Sequence, residues 1–149
     1  LHGHAGNDTL RGGSGSDWMS GGDGSDTYEV DALTDTVSES GTVAGNVDTV
    51  RSLVSWTLGA SLENLVLLGT AARGIGNGLA NQVLGGAGAD TLTGGGGADT
   101  LNGGTGADTY VVESAGDVIV ESTVLASELD TVRSGVNWTL GARLEHLVL

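Results

Sequence analysis

The chain of 149 residues contains no cysteine, no proline, no phenylalanine and no lysine; its five basic residues are all arginines. Without cysteine there is no disulfide framework, no thiolate zinc site and no cysteine nucleophile. Without lysine there is neither a phosphate-binding loop of the Walker type nor Schiff-base chemistry. Five basic against 19 acidic residues leave a formal net charge of −14. Nucleic acid and anionic membranes both demand a basic face, so neither is expected as a partner. No apolar run approaches the roughly 18 residues of a bilayer span, and membrane insertion is not expected. The opening Leu1-His2-Gly3-His4 lacks the charged-then-apolar order of an ordinary signal peptide.

Glycine, in contrast, is abundant, with 28 residues. Glycine and net charge at these levels favour disorder. Yet hydrophobic residues make up 38% and the mean hydropathy is +0.07, too apolar for a solvated tail. A periodic arrangement is therefore expected.

The sequence matches itself at an offset of 82. Residues 1–67 align with 83–149 without a gap, and 37 of the 67 positions are identical. Asp26-Thr27-Tyr28 recurs as Asp108-Thr109-Tyr110, Asp48 to Ser52 as Asp130 to Ser134, and Trp56 to Ala60 as Trp138 to Ala142. This is a tandem duplication, expected to be a piece of a longer array.

Within each copy runs a period of nine. Gly3 to Arg11, Gly12 to Ser20 and Gly21 to Glu29 form one block; Gly85 to Thr93, Gly94 to Asn102 and Gly103 to Val111 form the other. Glycine stands at or near positions 1, 2 and 4, Asp at 6 and a large apolar residue at 8. Degenerate units extend the frame, placing Asp35, Asp117 and Asn81 at position 6. The chain divides into a first block (1–38), an intervening segment of short strands (39–75), a second block (76–120) and the start of a second intervening segment (121–149).

Positions 1 to 5 are too rich in glycine for a helix or a strand interior and suit a turn with positive φ. Positions 7 to 9 fit a three-residue strand whose middle side chain points inward. Two such units make one 18-residue coil of a parallel β-solenoid, with coils about 4.8 Å apart. That stacking pairs Asp8 with Asp26, Asp17 with Asp35, Asn81 with Asp99, Asp90 with Asp108 and Asp99 with Asp117. Two carboxylates about 5 Å apart repel by roughly 3 kcal/mol at an effective dielectric near 20. A core of about two apolar side chains per coil is too thin to offset several such pairs. A hard cation between turns reverses the sign of that interaction. Calcium fits best, because it takes six to eight oxygens in flexible geometry, whereas magnesium demands a tight octahedron. The carboxylates would be joined by backbone carbonyls around Gly12, Gly13, Gly15, Gly21, Gly22, Gly24, Gly85, Gly86, Gly88, Gly94, Gly95, Gly97, Gly103, Gly104 and Gly106. About four to five calcium ions are expected.

The pattern G-G-x-G-x-D-x-apolar-x resembles the nonapeptide of RTX (repeats-in-toxin, hemolysin-type) calcium-binding proteins. Gly85 to Val111 matches it three times without departure, whereas His4 replaces a glycine and Gly76 to Leu84 lacks two glycines and carries Asn81. The resemblance implies an all-β fold, a right-handed parallel β-roll or β-solenoid with calcium in its turns. It also implies a segment of a larger secreted bacterial protein, exported by type I secretion and folding when it meets external calcium. The alternatives are a repeat unit of an adhesin or surface-layer array, or a module of a secreted protease, lipase or alginate epimerase with its catalytic domain elsewhere. Neighbouring repeats or a surface polysaccharide are the partners left open.

The intervening stretches read as short strands, expected to continue the solenoid over a hydrophobic interior; a small sandwich between two rolls is the alternative. His2 and His4 are read as degenerate repeat positions rather than metal ligands. Trp56 and Trp138 are read as core or capping residues rather than sugar platforms, and Arg51 and Arg133 as ion-pair partners of Asp48 and Asp130. For Glu39 and Glu121, a further calcium site and a solvated turn are both open. No catalytic motif is present, and no enzymatic activity is expected from this segment.

Overall fold

The computed structural model describes residues 1–39, 45–121 and 128–149, and all its regular structure is β. Parts of the predicted 39–75 and 121–149 segments, residues 40–44 and 122–127, lie outside the described residues. In the first copy the strands are β1 (His2–Ala5), β2 (Thr9–Arg11), β3 (Trp18–Asp23), β4 (Thr27–Val30), β5 (Thr36–Ser38), β6 (Thr49–Ser52), β7 (Trp56–Thr57), β8 (Asn64–Leu67) and β9 (Arg73–Ile75). The second copy contributes β10 (Gln82–Ala87), β11 (Thr91–Thr93), β12 (Thr100–Thr105), β13 (Thr109–Val112), β14 (Val118–Ile119), β15 (Thr131–Ser134) and β16 (His146–Val148).

These strands form three parallel sheets, ordered β1-β3-β5, β14-β12-β10-β8-β6-β4-β2 and β16-β15-β13-β11-β9-β7. As far as β15 the chain alternates between the seven-stranded sheet and the other two, which makes it a parallel β-solenoid. Parallel neighbours are 18 residues apart wherever nonapeptides stack, as in Thr9↔Thr27 and Gln82↔Thr100. The coil leaving each block is longer, with Thr27 opposite Thr49 and Thr109 opposite Thr131. The next is shorter, pairing Thr49 with Asn64 and Thr131 with His146. The seven-stranded sheet runs without a break from the first block through β6 and β8 into the second.

Position 8 of the nonapeptide explains the core. Leu10, Tyr28, Val50, Leu65, Val83, Leu101 and Ile119 lie in register on consecutive strands of the seven-stranded sheet. All but Ile119 are buried, and Ile119 packs against them. Leu92, Tyr110 and Val132 form the facing row. The strands are short, two to six residues long, so few inward positions on each can exclude water. The interior row is thus common to the blocks and the segment between them. The intervening segment adds Leu58 and Leu62, both buried, where the blocks have glycine turns. Trp56 and Trp138 are half-buried and pack against the core.

The half-coil advance of the duplication follows from these registers. Strands β2, β4 and β6 lie in the seven-stranded sheet, whereas their counterparts β11, β13 and β15 lie in the sheet opposite. The first 82-residue copy spans nine strands, or four and a half coils.

Candidate metal-binding turns

Each turn is built so that a carboxylate can sit over a glycine. The Asp at position 6 folds back across the glycine at position 1. A Cβ on Gly3 would stand 2.6 Å from Asp8 Oδ2 and 2.8 Å from the carbonyl oxygen of Gly21, one coil on. On Gly85 it would stand 2.7 Å from Asp90 Oδ2 and 2.6 Å from the carbonyl of Gly103. Position 1 is therefore glycine because a carboxylate and a carbonyl from two different coils occupy the space of its side chain. Positions 2 and 4 need glycine for another reason: Gly104 and Gly106 have φ of 98° and 126°, where a Cβ would also collide with the carbonyls of Gly86 and Gly88 below. His4 holds a φ of 79° at position 2, a conformation costly for a residue with a side chain.

The position-6 side chains form columns. Asp8 N–H donates to Asp26 Oδ1 at 2.7 Å, Asp17 N–H to Asp35 Oδ1 at 3.1 Å, and Asn81 N–H to Asp99 Oδ1 at 2.8 Å. Asp90 N–H donates to Asp108 Oδ1 at 2.8 Å, and Asp99 N–H to Asp117 Oδ1 at 3.1 Å. The structure so places each predicted pair on adjacent coils. One oxygen of the upper residue is spoken for by the backbone below, and the fate of the other separates the turns.

In Asp8, Asp17, Asp26, Asp90, Asp99 and Asp108, Oδ2 is buried and receives no hydrogen bond. A buried acceptor without a donor costs on the order of 1–3 kcal/mol, more for a charged group. Asp35 and Asp117 differ. Asp35 Oδ2 accepts from the N–H groups of Asp31 and Ala32, and Asp117 Oδ2 from those of Glu113 and Ser114. These turns lack the glycines, and the loop closes on its own carboxylate. Asn81 is saturated: Oδ1 accepts from Asn77 N–H at 2.7 Å, while Nδ2 donates to the carbonyls of Leu62 and Glu63 at 2.9 and 3.2 Å.

The columns also continue through residues that the nine-residue frame misses. Asp26 N–H donates to Asp48 Oδ1, and Asp48 N–H to Glu63 Oε2. Asp108 N–H donates to Asp130 Oδ1, and Asp130 N–H to Glu145 Oε2. A signal was available, since Asp48-Thr49-Val50 repeats the D-T-apolar order of positions 6 to 8. The pairing of Arg51 with Asp48 does not fit this placement, as Asp48 is buried in the column and Arg51 is exposed on the outer face. Arg51 stands in register with Glu29, which Arg11 engages at 2.6 Å.

Crowded acids out of water release their protons at higher pH than free ones. Burial, then the neighbouring Asp108, pushes the Asp90 carboxyl up to about 6. Burial is also the largest cause for Asp48, pushed up to about 6 with Glu39, Glu63 and Asp26 adding to it. Asp99, Asp108 and Asp130 shift upward for the same first reason.

Orphaned carboxylate oxygens, carbonyls one coil away and a donor set made only of oxygen fit a hard cation and suit calcium in particular. Fold and turns together define a parallel β-solenoid with carboxylate-lined glycine turns. Residues 1–37 and 75–110 match the family model of the RTX calcium-binding nonapeptide repeat, in four copies. Both nonapeptide blocks thus carry RTX calcium-binding repeats, and they form a parallel β-roll. No curated protein and no solved structure matches it.

Proposed function

We propose that this segment binds calcium between successive nonapeptide turns and folds as it does so. The observation that carries the reading is the set of six buried position-6 oxygens that no donor satisfies. Asp8 with Asp26 and Asp90 with Asp108 are the best-provided pairs, because both members keep a free oxygen. Asp17–Asp35 and Asp99–Asp117 each offer one free carboxylate oxygen, and Asn81–Asp99 the aspartate alone. Glycines at positions 1, 2 and 4 supply the carbonyls. No catalytic role is assigned to the segment.

Calcium-dependent folding would suit export in an unfolded state. External calcium reaches the levels such sites need, while the cytoplasm does not, which supports type I secretion and an extracellular or cell-surface location in a bacterium. The internal duplication favours a repeat array of an adhesive or surface-layer kind over a module attached to a secreted protease, lipase or epimerase.

Far-UV circular dichroism of the chain tests the reading, starting metal-free and titrating calcium, with magnesium as control. The expected result is a cooperative change from coil to β at about 10⁻⁴–10⁻³ M calcium, the range of extracellular modules, and no response to magnesium. A full β spectrum in chelator would overturn the coupling of folding to binding.

A further inference from the structure

Each block ends on a carboxylate cluster that is not made by two nonapeptide turns. Asp26, Glu39 and Asp48 bring one oxygen each within 4.8 Å of one another, and Asp108, Glu121 and Asp130 do the same in the second copy. The four aspartates are buried. Their backbone partners take Oδ1 of each. Oδ2 of Asp26 and of Asp108 receives no hydrogen bond, although both residues are only 1% exposed.

These orphaned oxygens stand over the glycines Gly21 and Gly103. Asp26 Oδ2 lies against the α-carbon of Gly21, beside the Tyr28 hydroxyl. Gly21 N–H donates to Tyr28 Oη at 2.7 Å and to Glu39 Oε1 at 3.1 Å, so tyrosine, glutamate and aspartate converge on one glycine. Around Gly103 the arrangement repeats with Asp108 Oδ2 and Tyr110, whose hydroxyl donates to Glu121 Oε1. The frame explains the glutamate. Glu39 follows Gly21 by 18 residues and so stands at position 1 of the next coil, as Glu121 does after Gly103. Within the blocks that place belongs to a glycine whose carbonyl faces the Asp below. At the block exit a glutamate side chain takes over from the carbonyl, and Asp48 or Asp130 closes the third side.

We propose that Asp26–Glu39–Asp48 and Asp108–Glu121–Asp130 are two further sites for a hard divalent cation, each sharing one aspartate with a turn-to-turn site and fastening a nonapeptide block to the segment that follows it. The donors are three carboxylates with a tyrosine hydroxyl alongside. Their chemistry selects calcium over transition metals, which favour nitrogen and sulfur. The proposal rests on the reading of the chain as a calcium binder, and it adds Glu39, Asp48, Glu121 and Asp130 to the ligands.

The test counts calcium bound to the full chain by equilibrium dialysis, in the wild type and in the Glu39→Gln/Glu121→Gln variant, with circular dichroism alongside. The expected result is the loss of two ions per chain, one for each cluster, with the calcium-induced β spectrum retained. An unchanged ion count in a folded variant would overturn the proposal and leave the turn sites standing. A wild type that binds no calcium would overturn the underlying reading as well. Terbium provides a measurement that does not depend on the variant's folding. Tyr28 and Tyr110 are the only tyrosines and each hydroxyl lies beside one cluster, so terbium added to the wild type should give tyrosine-sensitised emission that Tyr28→Phe/Tyr110→Phe removes. Terbium bound without such emission would overturn the proposal.

Discussion

Asp26 and Asp48 are 22 residues apart, yet Asp26 N–H donates to Asp48 Oδ1 at 2.7 Å, as Asp8 N–H does to Asp26 Oδ1 across 18. The column of acids therefore keeps its spacing through a coil four residues longer than the nonapeptide pair. What holds it is the register of the strands that follow each acid, Thr9, Thr27 and Thr49.

Asp90 and Asp117 should behave differently although both occupy position 6. Asp90 keeps a free buried oxygen, whereas Asp117 spends both of its oxygens on backbone N–H groups. Asp90→Ala is expected to remove about one bound calcium and raise the calcium midpoint about tenfold, equivalent to about 1.4 kcal/mol. Asp117→Ala should loosen its turn by about 1 kcal/mol at an unchanged ion count. Calorimetric titration of both variants checks the contrast, and equal ion loss would refute it.

Glycine positions separate just as sharply. Gly104→Ala forces a side chain into positive φ and against the Gly86 carbonyl, a backbone group that cannot swing aside. A cost of about 1–3 kcal/mol is expected, read as a rise in the calcium midpoint of the circular dichroism transition. Gly78→Ala meets nothing within 4 Å and has no positive φ, so its midpoint should stay within about 0.5 kcal/mol of the wild type.

Leu65 is fully buried between Val50 and Val83 in the inward row. Leu65→Ala should cost about 2–5 kcal/mol, because each coil places few apolar side chains and a neighbour cannot fill the gap. Urea unfolding in saturating calcium measures it, with a lower midpoint and an unchanged slope as the expected result.

The calcium dependence of folding should weaken as pH falls. The Asp48 and Asp90 carboxyls are pushed up to about 6, with burial as the largest cause, against ordinary values near 4 in the unfolded chain. Without metal, the folded chain therefore binds protons that the unfolded chain has released. That contribution is full below about pH 4 and is lost as pH rises through about 6. Calcium needs the ionised carboxylates, so its affinity should fall as pH drops through the same window. Calcium titrations followed by circular dichroism at pH 5 and 7 check it, with a higher calcium midpoint at pH 5 as the expected result.

Much of this architecture was legible because the nonapeptide names its own roles. Glycine at 1, 2 and 4, Asp at 6 and an apolar residue at 8 give turn, column and core, and these fix the coil at 18 residues. The limits of that reading are equally physical. Asp48 was assigned to Arg51 because they are close in sequence, whereas strand register carries Asp48 into the column and Arg51 to the surface. Asp35, Asp117 and Asn81 stand in the columns by position, yet Oδ2 of the two aspartates and Oδ1 of the asparagine accept from N–H groups of their own loops, and no spacing rule reports how a loop satisfies its own backbone. Glu39 was visible as a repeated acid, while its place above Gly21 emerged only once the coils were stacked.

The half-coil advance of the duplication gives the molecule a screw symmetry. Moving one 82-residue unit along the axis also turns the chain half a revolution, so Arg51 and Arg133, identical in sequence context, look out from opposite sides. A rigid partner lying along one side meets β6 in the first unit but never its twin β15. It sees two different surfaces in alternation, one from each half of the coil. Two binders raised against a single outer epitope would sit back to back across the solenoid, and a row of identical contacts on one side would recur at every second unit.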